Sequence, residues 1–287
     1  MQLEDNFKTY QKVKKRQQIT TFSANIKEGS CQNNSLFDQL DFSLPISEAS
    51  LTPIFKSYRY DVEMDRENSG FSVEKSYGCK WLIDWSNSVD KKMTFKLFED
   101  EQISFFINNF KKYKPEYFLD IGAHGGLYSI ILKKNFPTLN VLAFEPDKQN
   151  RYQLYGNLFL NQFEAKIEVN NFGLSSDNRE VSFGIRKEGN RGGKTIKKTG
   201  DLKIVVKPLD EVFLEKSKNC FVKIDVEGHE MEVIMGSKKF LKNNFCLIQV
   251  EILDENKFND FDLTMNKLGY KLVKQIEDYY YSNFEIN

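Results

Sequence analysis

From residue 117 onward, apolar and polar positions change period again and again. Tyr117-Phe118-Leu119-Asp120-Ile121 is a short apolar run suited to a buried strand, and Leu127, Ile130 and Ile131 follow at helical spacing. The same succession recurs downstream. Strands are predicted at 140–144, 166–170, 221–224 and 245–250, with helices at 147–160, 229–241 and 258–268. Residues 180–186 and 202–207 read as a hairpin around a Gly- and Lys-rich tip, and 270–275 and 279–286 as two closing strands with no helix between them. Alternating strands and helices predict an α/β fold with a doubly wound, mostly parallel sheet of seven strands, edged by a terminal hairpin.

Upstream, Ile103, Phe106, Ile107 and Phe110 form one stripe of a helix at 99–112, ended by Pro115. Residues 80–85 and 93–98 are rich in aromatic and aliphatic side chains and are expected to be short strands. Trp81 and Trp85 suit core packing, with stacking on a sugar face as the alternative. Leu3, Phe7, Tyr10 and Val13 give residues 1–20 a thin apolar face, as in a surface helix. Residues 22–70 are polar with scattered aromatics and are expected to dock as irregular structure. The predicted division is an N-terminal extension, 1–90, serving substrate binding or oligomerisation, and an α/β domain, 91–287.

Composition narrows the classes. In 287 residues, 41 basic and 41 acidic side chains cancel, so no strong field draws nucleic acid or an anionic membrane. Hydrophobic content of 40% supports a substantial core. Cys31, Cys79, Cys220 and Cys246 are far apart, which argues against a disulfide framework or zinc site and for a reduced, cytoplasmic setting. The polar start lacks the apolar stretch of a secretory signal, and no run approaches the ~20 apolar residues that span a bilayer.

Candidate chemistry begins at the first strand's end, where Asp120 is followed by Gly122, Gly125 and Gly126. A Gly-rich turn entering a helix presents backbone N–H groups to a ligand. A dinucleotide motif would want glycine where His124 stands, which also counts against a nicotinamide dehydrogenase, and no Gly-Lys-Ser/Thr follows for a P-loop. A carboxylate at this place repels pyrophosphate and suits a cationic ligand such as the amino group of S-adenosylmethionine.

Four predicted strands end in an acid: Asp120, Glu145, Asp225 and Glu251. Ligands of open α/β sheets bind beyond the carboxyl ends of strands, so four acids there mark a crevice. Glu145 suits the ribose hydroxyls of an adenosine, and Asn171 and Gly173 border its base. In Asp225-Val226-Glu227-Gly228-His229, the two acids share a side if the chain stays extended. His229 suits a general base near neutral pH, with helix capping as the structural alternative. Asp225, Glu227 and Glu251 also form an oxygen-only set for a divalent metal. The metal-free reading is preferred, because acids around a sulfonium need no ion to explain them.

These motifs together resemble the FkbM-type methyltransferases. Phe118-Leu119-Asp120-Ile121-Gly122-Ala123-His124-Gly125-Gly126 is similar to that family's Asp-x-Gly-Ala-Asn-x-Gly motif, with His124 in the Asn position. Phe144-Glu145-Pro146, Gly173-Leu174-Ser175, Leu209-Asp210, Val222 to Glu230, and Gly236 resemble the later motifs in the same order. The resemblance implies a Rossmann-like class I methyltransferase fold, S-adenosylmethionine as cofactor, and O-methylation of a sugar, glycan or secondary-metabolite hydroxyl. It places cofactor binding on Asp120, Gly122, Ala123, His124, Gly126, Glu145, Asn171, Gly173 and Asp225. A weakly acidic hydroxyl needs a base, for which Asp225, Glu227 and His229 are the candidates. The rival reading is a non-catalytic binding or assembly module on the same fold.

Overall fold

In the computed structural model of the chain, the described residues are 70–94, 99–185, 194–197 and 202–286. The expected N-terminal helix and docked segment, residues 1–69, lie outside them. One compact unit runs from Asn68 to Asn287. Its elements are strands β1 (Phe71–Ser76) and β2 (Cys79–Asp84), helices α1 (Ser88–Thr94) and α2 (Asp100–Tyr113), β3 (Tyr117–Ile121), α3 (Leu127–Asn135), β4 (Asn140–Phe144), α4 (Lys148–Asn161), β5 (Ile167–Asn170) and β6 (Gly173–Leu174). There follow β7 (Arg179–Ile185), β8 (Lys194–Lys197), β9 (Leu202–Lys207), α5 (Leu209–Val212), β10 (Asn219–Ile224), α6 (Glu230–Met235), α7 (Lys238–Asn243), β11 (Phe245–Val250), α8 (Phe258–Lys267), β12 (Lys271–Gln275) and β13 (Tyr279–Ser282).

The main sheet is mixed and ordered β12-β13-β11-β10-β3-β4-β5. Strands β5, β4, β3, β10 and β11 are parallel, and β13 enters antiparallel to both β11 and β12. Strand β3 lies between β4 and β10, so the chain reverses its direction of travel across the sheet there. Crevices form beyond the carboxyl ends of strands at such a reversal. Strands β6, β9, β7 and β8 make a second, four-stranded sheet. Its β7–β9 pairing is the expected hairpin, Arg179 opposite Val206 through Phe183 opposite Leu202, with β8 added outside β7.

The two faces of the main sheet differ. On one, Leu119, Ile121, Phe144, Val222, Ile224, Ile248 and Val250 pack with Val233, Ile234, Phe240, Leu241, Phe261 and Met265 from α6, α7 and α8 in a continuous apolar core. On the other, Phe106 of α2 meets Phe110, Phe118, Tyr128, Phe221 and Tyr280 with ring centroids 5.8–6.1 Å apart. Most of these pairs are edge-to-face, each worth ~0.5–1.5 kcal/mol beyond area burial.

Two expectations are corrected. Met93 and Thr94 close a helix rather than opening a strand: Asn87 Oδ1 accepts from the Val89 amide (3.0 Å), starting a helical turn, and Met93 is buried. The remainder of that expected strand, 95–98, lies outside the described residues. The helix expected over 229–241 is broken at Gly236-Ser237 into α6 and α7. The Gly236 carbonyl accepts from the Asp210 amide at 3.0 Å, and a Cβ on Gly236 would run into the Ser175 carbonyl. Tertiary contacts with α5 and with the segment just beyond β6 thus interrupt a pattern that is locally helical. Trp81 and Trp85 are buried and donate to the Ser76 carbonyl and the Ser72 hydroxyl, so neither offers a stacking face for a sugar.

Hairpin β1–β2, grouped above with the extension, docks on α4 through side-chain amides. Asn161 accepts from the Lys80 amide (3.0 Å) and donates to its carbonyl (2.7 Å); Asn157 accepts from the Leu82 amide (2.7 Å), and Gln153 donates to the Leu82 carbonyl (2.8 Å). These amides, at i, i+4 and i+8 on one helix face, satisfy backbone groups of β2 on the side away from β1, where an edge strand would leave them bare.

Candidate active site

The turn after β3 is held from two sides. The Gly122 and Ala123 amides both donate to the Phe144 carbonyl at the end of β4 (2.9 and 3.1 Å). The His124 amide donates to Glu145 Oε2 at 2.8 Å, and Glu145 Oε1 accepts from the Asp147 amide at 2.7 Å. Glu145 therefore ties the turn to the entry of α4, where Asp147 caps Gln149 and Asn150 (3.0 Å each). Burial pushes the Glu145 carboxyl up to about 7, against the pull of its backbone donors.

Gly122 and Gly126 have φ of 86° and 84°, where a Cβ is strained. A Cβ on Gly122 would also meet the Asp225 carbonyl, so the turn after β3 and the loop after β10 approach backbone to backbone. His124 also has a positive φ, 49°, a conformation that asparagine and histidine tolerate better than most residues.

Beneath the turn, a row of polar residues crosses the sheet in register: Asp120 beside Lys223, Lys223 beside Gln249, Gln249 beside Tyr280. All four are buried. Asp120 Oδ2 accepts from the Ser129 amide (3.1 Å) and hydroxyl (2.6 Å) in the first turn of α3. Lys223 Nζ contacts Asp225 Oδ2 at 2.7 Å and lies 5.0 Å from the centre of the Tyr128 ring. Gln249 donates to Asp278 at 2.7 Å and to the Tyr128 hydroxyl at 3.1 Å. Although burial alone would lower it, the Lys223 ammonium is held well above the usual lysine range by Asp225, Glu99, Asp278 and Asp120. It is the cation that makes this group of buried acids tolerable.

At the crevice, Asp225, Glu227 and Glu251 bring carboxylate oxygens within 4.8 Å of one another. Glu227 reaches this position through a left-handed backbone, φ 57°, followed by Gly228 at 102°, so the two acids come together although the chain does not stay extended. Burial, then Asp225 and Asp278, push the Glu251 carboxyl up to about 9, with Lys223 opposing. Three oxygens this close can share protons or hold a hard cation.

His229 begins α6 but makes no side-chain cap. Its Nε2 is 3.0 Å from the Ser175 hydroxyl and its Nδ1 is 3.6 Å from Glu232. Burial lowers its basicity below that of an ordinary histidine. Neutral imidazole with hydrogen on Nδ1, facing Glu232, leaves Nε2 to accept from Ser175. Glu230 does the local capping, accepting from the Gly228 amide at 2.7 Å. Asn171 is exposed beyond β5, and Gly173 packs by Pro146 and Val206 at the start of β6.

The strand-end acids thus fall at one edge of the sheet, at the carboxyl ends of β3, β4, β10 and β11. Asp120 lies buried beneath the turn, and His229 is turned to Ser175 beyond β6. Sequence reasoning missed Lys223, Gln249, Asp278 and Asn157. Lys223 and Gln249 had a readable signal, each being a lone polar residue in an apolar strand; that they are neighbours follows only from strand order.

Among known proteins, residues 120–272 match the model of the methyltransferase FkbM domain. The hexuronic acid methyltransferase AglP of Haloferax volcanii is 29% identical over 168 residues, covering 55% of this chain and 66% of that protein. Methyltransferase sdnD of Sordaria araneosa is 27% identical over 154 residues, covering 42% of this chain and 60% of that one. The match therefore spans less than two thirds of either relative. A crystal structure of methyltransferase FkbM from Methylobacillus flagellatus KT superposes with a TM-score of 0.41 at 19% identity, covering 58% of this chain and 43% of that one. Since the family model matches more than half of the sequence, the chain belongs to the methyltransferase FkbM domain family.

Proposed function

We propose that the chain is an S-adenosylmethionine-dependent O-methyltransferase acting on a hydroxyl of a sugar, nucleotide sugar or glycan, or a similar secondary-metabolite hydroxyl, on a doubly wound class I methyltransferase fold. One observation carries this reading: a glycine turn at the sheet's point of reversal, with Glu145 on one side and Asp225 on the other. The hexuronic acid named for the Haloferax relative supports a sugar-type acceptor. The residues fit the cofactor. Gly122, Ala123, His124 and Gly126 line the amino-acid end, where Asp120 lies beneath them. Each Glu145 oxygen accepts one backbone N–H and the Asn150 side chain donates as well, which leaves lone-pair capacity for a ribose hydroxyl. Asn171 and Gly173 border the adenine.

Bound there, the cofactor supplies an electrophilic methyl group on a sulfonium centre. The protein's part is to hold the acceptor oxygen in line with that methyl and to take its proton. As the acceptor oxygen is methylated, a carboxylate of the chain would take its proton. Asp225 and Glu227 suit that role better than His229, whose ring nitrogens face Ser175 and Glu232. Asp225 also borders the cofactor site through its backbone contact with Gly122.

A second reading rests on the Asp225, Glu227 and Glu251 oxygens, which are close enough for a divalent cation. Lys223 already supplies positive charge, and the metal-free version is preferred. Activity unchanged by EDTA removes the ion; activity lost and restored by Mg²⁺ establishes it.

Among the described residues no helix is long and apolar enough to cross a membrane, and a cytoplasmic enzyme is the proposed setting. Residues 1–90 are proposed as a substrate-binding or oligomer segment. The test is transfer of a labelled methyl group from S-adenosylmethionine to neutral and uronic methyl hexopyranosides, or to glycan extract from expressing cells. A labelled O-methyl product is expected. Cofactor binding with no methylated product in either would instead favour a non-catalytic module.

A further inference from the structure

The Gly-rich turn has a third holder besides Phe144 and Glu145. Asn157 of α4 donates from Nδ2 to the Gly125 carbonyl at 2.8 Å, while its Oδ1 accepts from the Leu82 amide of β2 at 2.7 Å. Asn157 is buried, so neither bond is readily replaced by water. One carboxamide therefore spans the turn and the hairpin. The other amides on that helix face do not: Asn161 reaches only Lys80 and its own helix, and Gln153 reaches Leu82 and Asp90.

The Gly125 carbonyl belongs to the peptide whose N–H is that of Gly126, and that N–H donates to the Ala123 carbonyl at 2.7 Å. Fixing the carbonyl fixes the plane of this peptide, and with it the path of the main chain between His124 and the first turn of α3. The turn runs through three residues of positive φ, and the Asn157 bond adds to the Gly126–Ala123 bond in opposing a flip of this peptide.

We infer that Asn157 is a positioning residue for the cofactor turn, and that through it the β1–β2 hairpin is coupled to cofactor binding. The inference rests on the cofactor reading proposed above. It gives the buried Asn157 amide a purpose beyond docking the hairpin, and it gives residues outside the family match, 71–84, a part in the site.

The test uses the full chain and S-adenosylhomocysteine as probe, followed by calorimetry and thermal melting. Asn157→Asp keeps an acceptor for the Leu82 amide and sets an oxygen against the Gly125 carbonyl. Its affinity is expected to fall by about tenfold or more, with the hairpin still docked. Asn161→Leu removes the two bonds to Lys80 and leaves the turn alone; its affinity is expected to stay within about twofold of wild type. An unaltered affinity in folded Asn157→Asp, or an equal loss in Asn161→Leu, overturns the inference.

Hydrogen exchange on the wild-type chain gives the reciprocal measurement, which needs no variant. Coupling requires the probe to slow exchange at the Leu82 amide more than at the Lys80 amide. Equal or absent protection at the two amides overturns the inference even if Asn157→Asp does not fold. A wild-type chain that fails to bind the probe sinks the cofactor reading and this inference with it. Binding with the expected pattern missing sinks this inference alone.

Discussion

At the scale of single residues, the site is a set of acids whose charges are managed in different ways. Glu145 is buried between two backbone donors and sits at about 7. Ribose hydroxyls donate to a carboxylate, so binding draws on the ionised form. Affinity for S-adenosylhomocysteine should therefore fall by about tenfold from pH 8 to pH 6, since protonation competes below a carboxyl value near 7. Calorimetry across that range checks it, and a flat profile would contradict the ribose role. Lys223 manages the remaining charges. Lys223→Met leaves Asp120, Asp225, Asp278 and Glu99 without their buried cation, and should cost ~3–5 kcal/mol in urea unfolding. A loss under about 1 kcal/mol would mean that the acids do not depend on it. The acids themselves were legible in the sequence, because each ends an apolar run. Their partners were not, because Lys223, Gln249 and Tyr280 become a row only when β10, β11 and β13 lie side by side. His229 shows the opposite limit: its residue type suggested a base, and of its two contacts that with Glu232 is local while that with Ser175 comes from the long-range fold.

Between elements, the governing contact is that of the two loops at the sheet's reversal. Gly122 lets the turn after β3 touch the carbonyl of Asp225 after β10. Gly122→Ala introduces both a strained φ and a collision, so it should destabilise by more than about 1 kcal/mol and abolish cofactor binding. Chemical unfolding with a calorimetric titration measures both; an Ala variant of wild-type stability and affinity would refute the close approach. The elements themselves were largely readable from periodicity. Strands β3, β4, β10 and β11 and helix α4 stand within a residue or two of their expected bounds, and helix α3 begins at the expected Leu127. The misses have physical causes. The α6–α7 break is imposed by Ser175, just beyond β6, and Asp210 of α5, and the α1 start by local capping at Asn87. Neither leaves a trace in hydrophobic spacing.

For the whole molecule, strand order turns a series of local signals into one crevice, and burial of so many carboxyls has a cost that pH reveals. The carboxyls of Glu99, Glu145 and Glu251 are raised from 4.5 to about 7, about 7 and about 9. A raised acid binds more protons in the folded state than in the unfolded state between those values. Its contribution to stability is therefore greatest at low pH and is lost as pH rises through the folded value. Across the span from pH 5 to pH 9 the melting temperature should fall, and a Glu251→Gln variant should fall less steeply between pH 7 and 9. Differential scanning calorimetry decides this, and a rising melting temperature over that span would contradict the burial of these groups.

The central claim is that the glycine turn and its flanking acids form a sulfonium-cofactor site. It is tested most directly by calorimetric titration of the folded full-length chain with S-adenosylmethionine and S-adenosylhomocysteine. Saturable binding of both is expected, one ligand per chain, abolished in Gly122→Ala. A folded chain that takes up neither would contradict it.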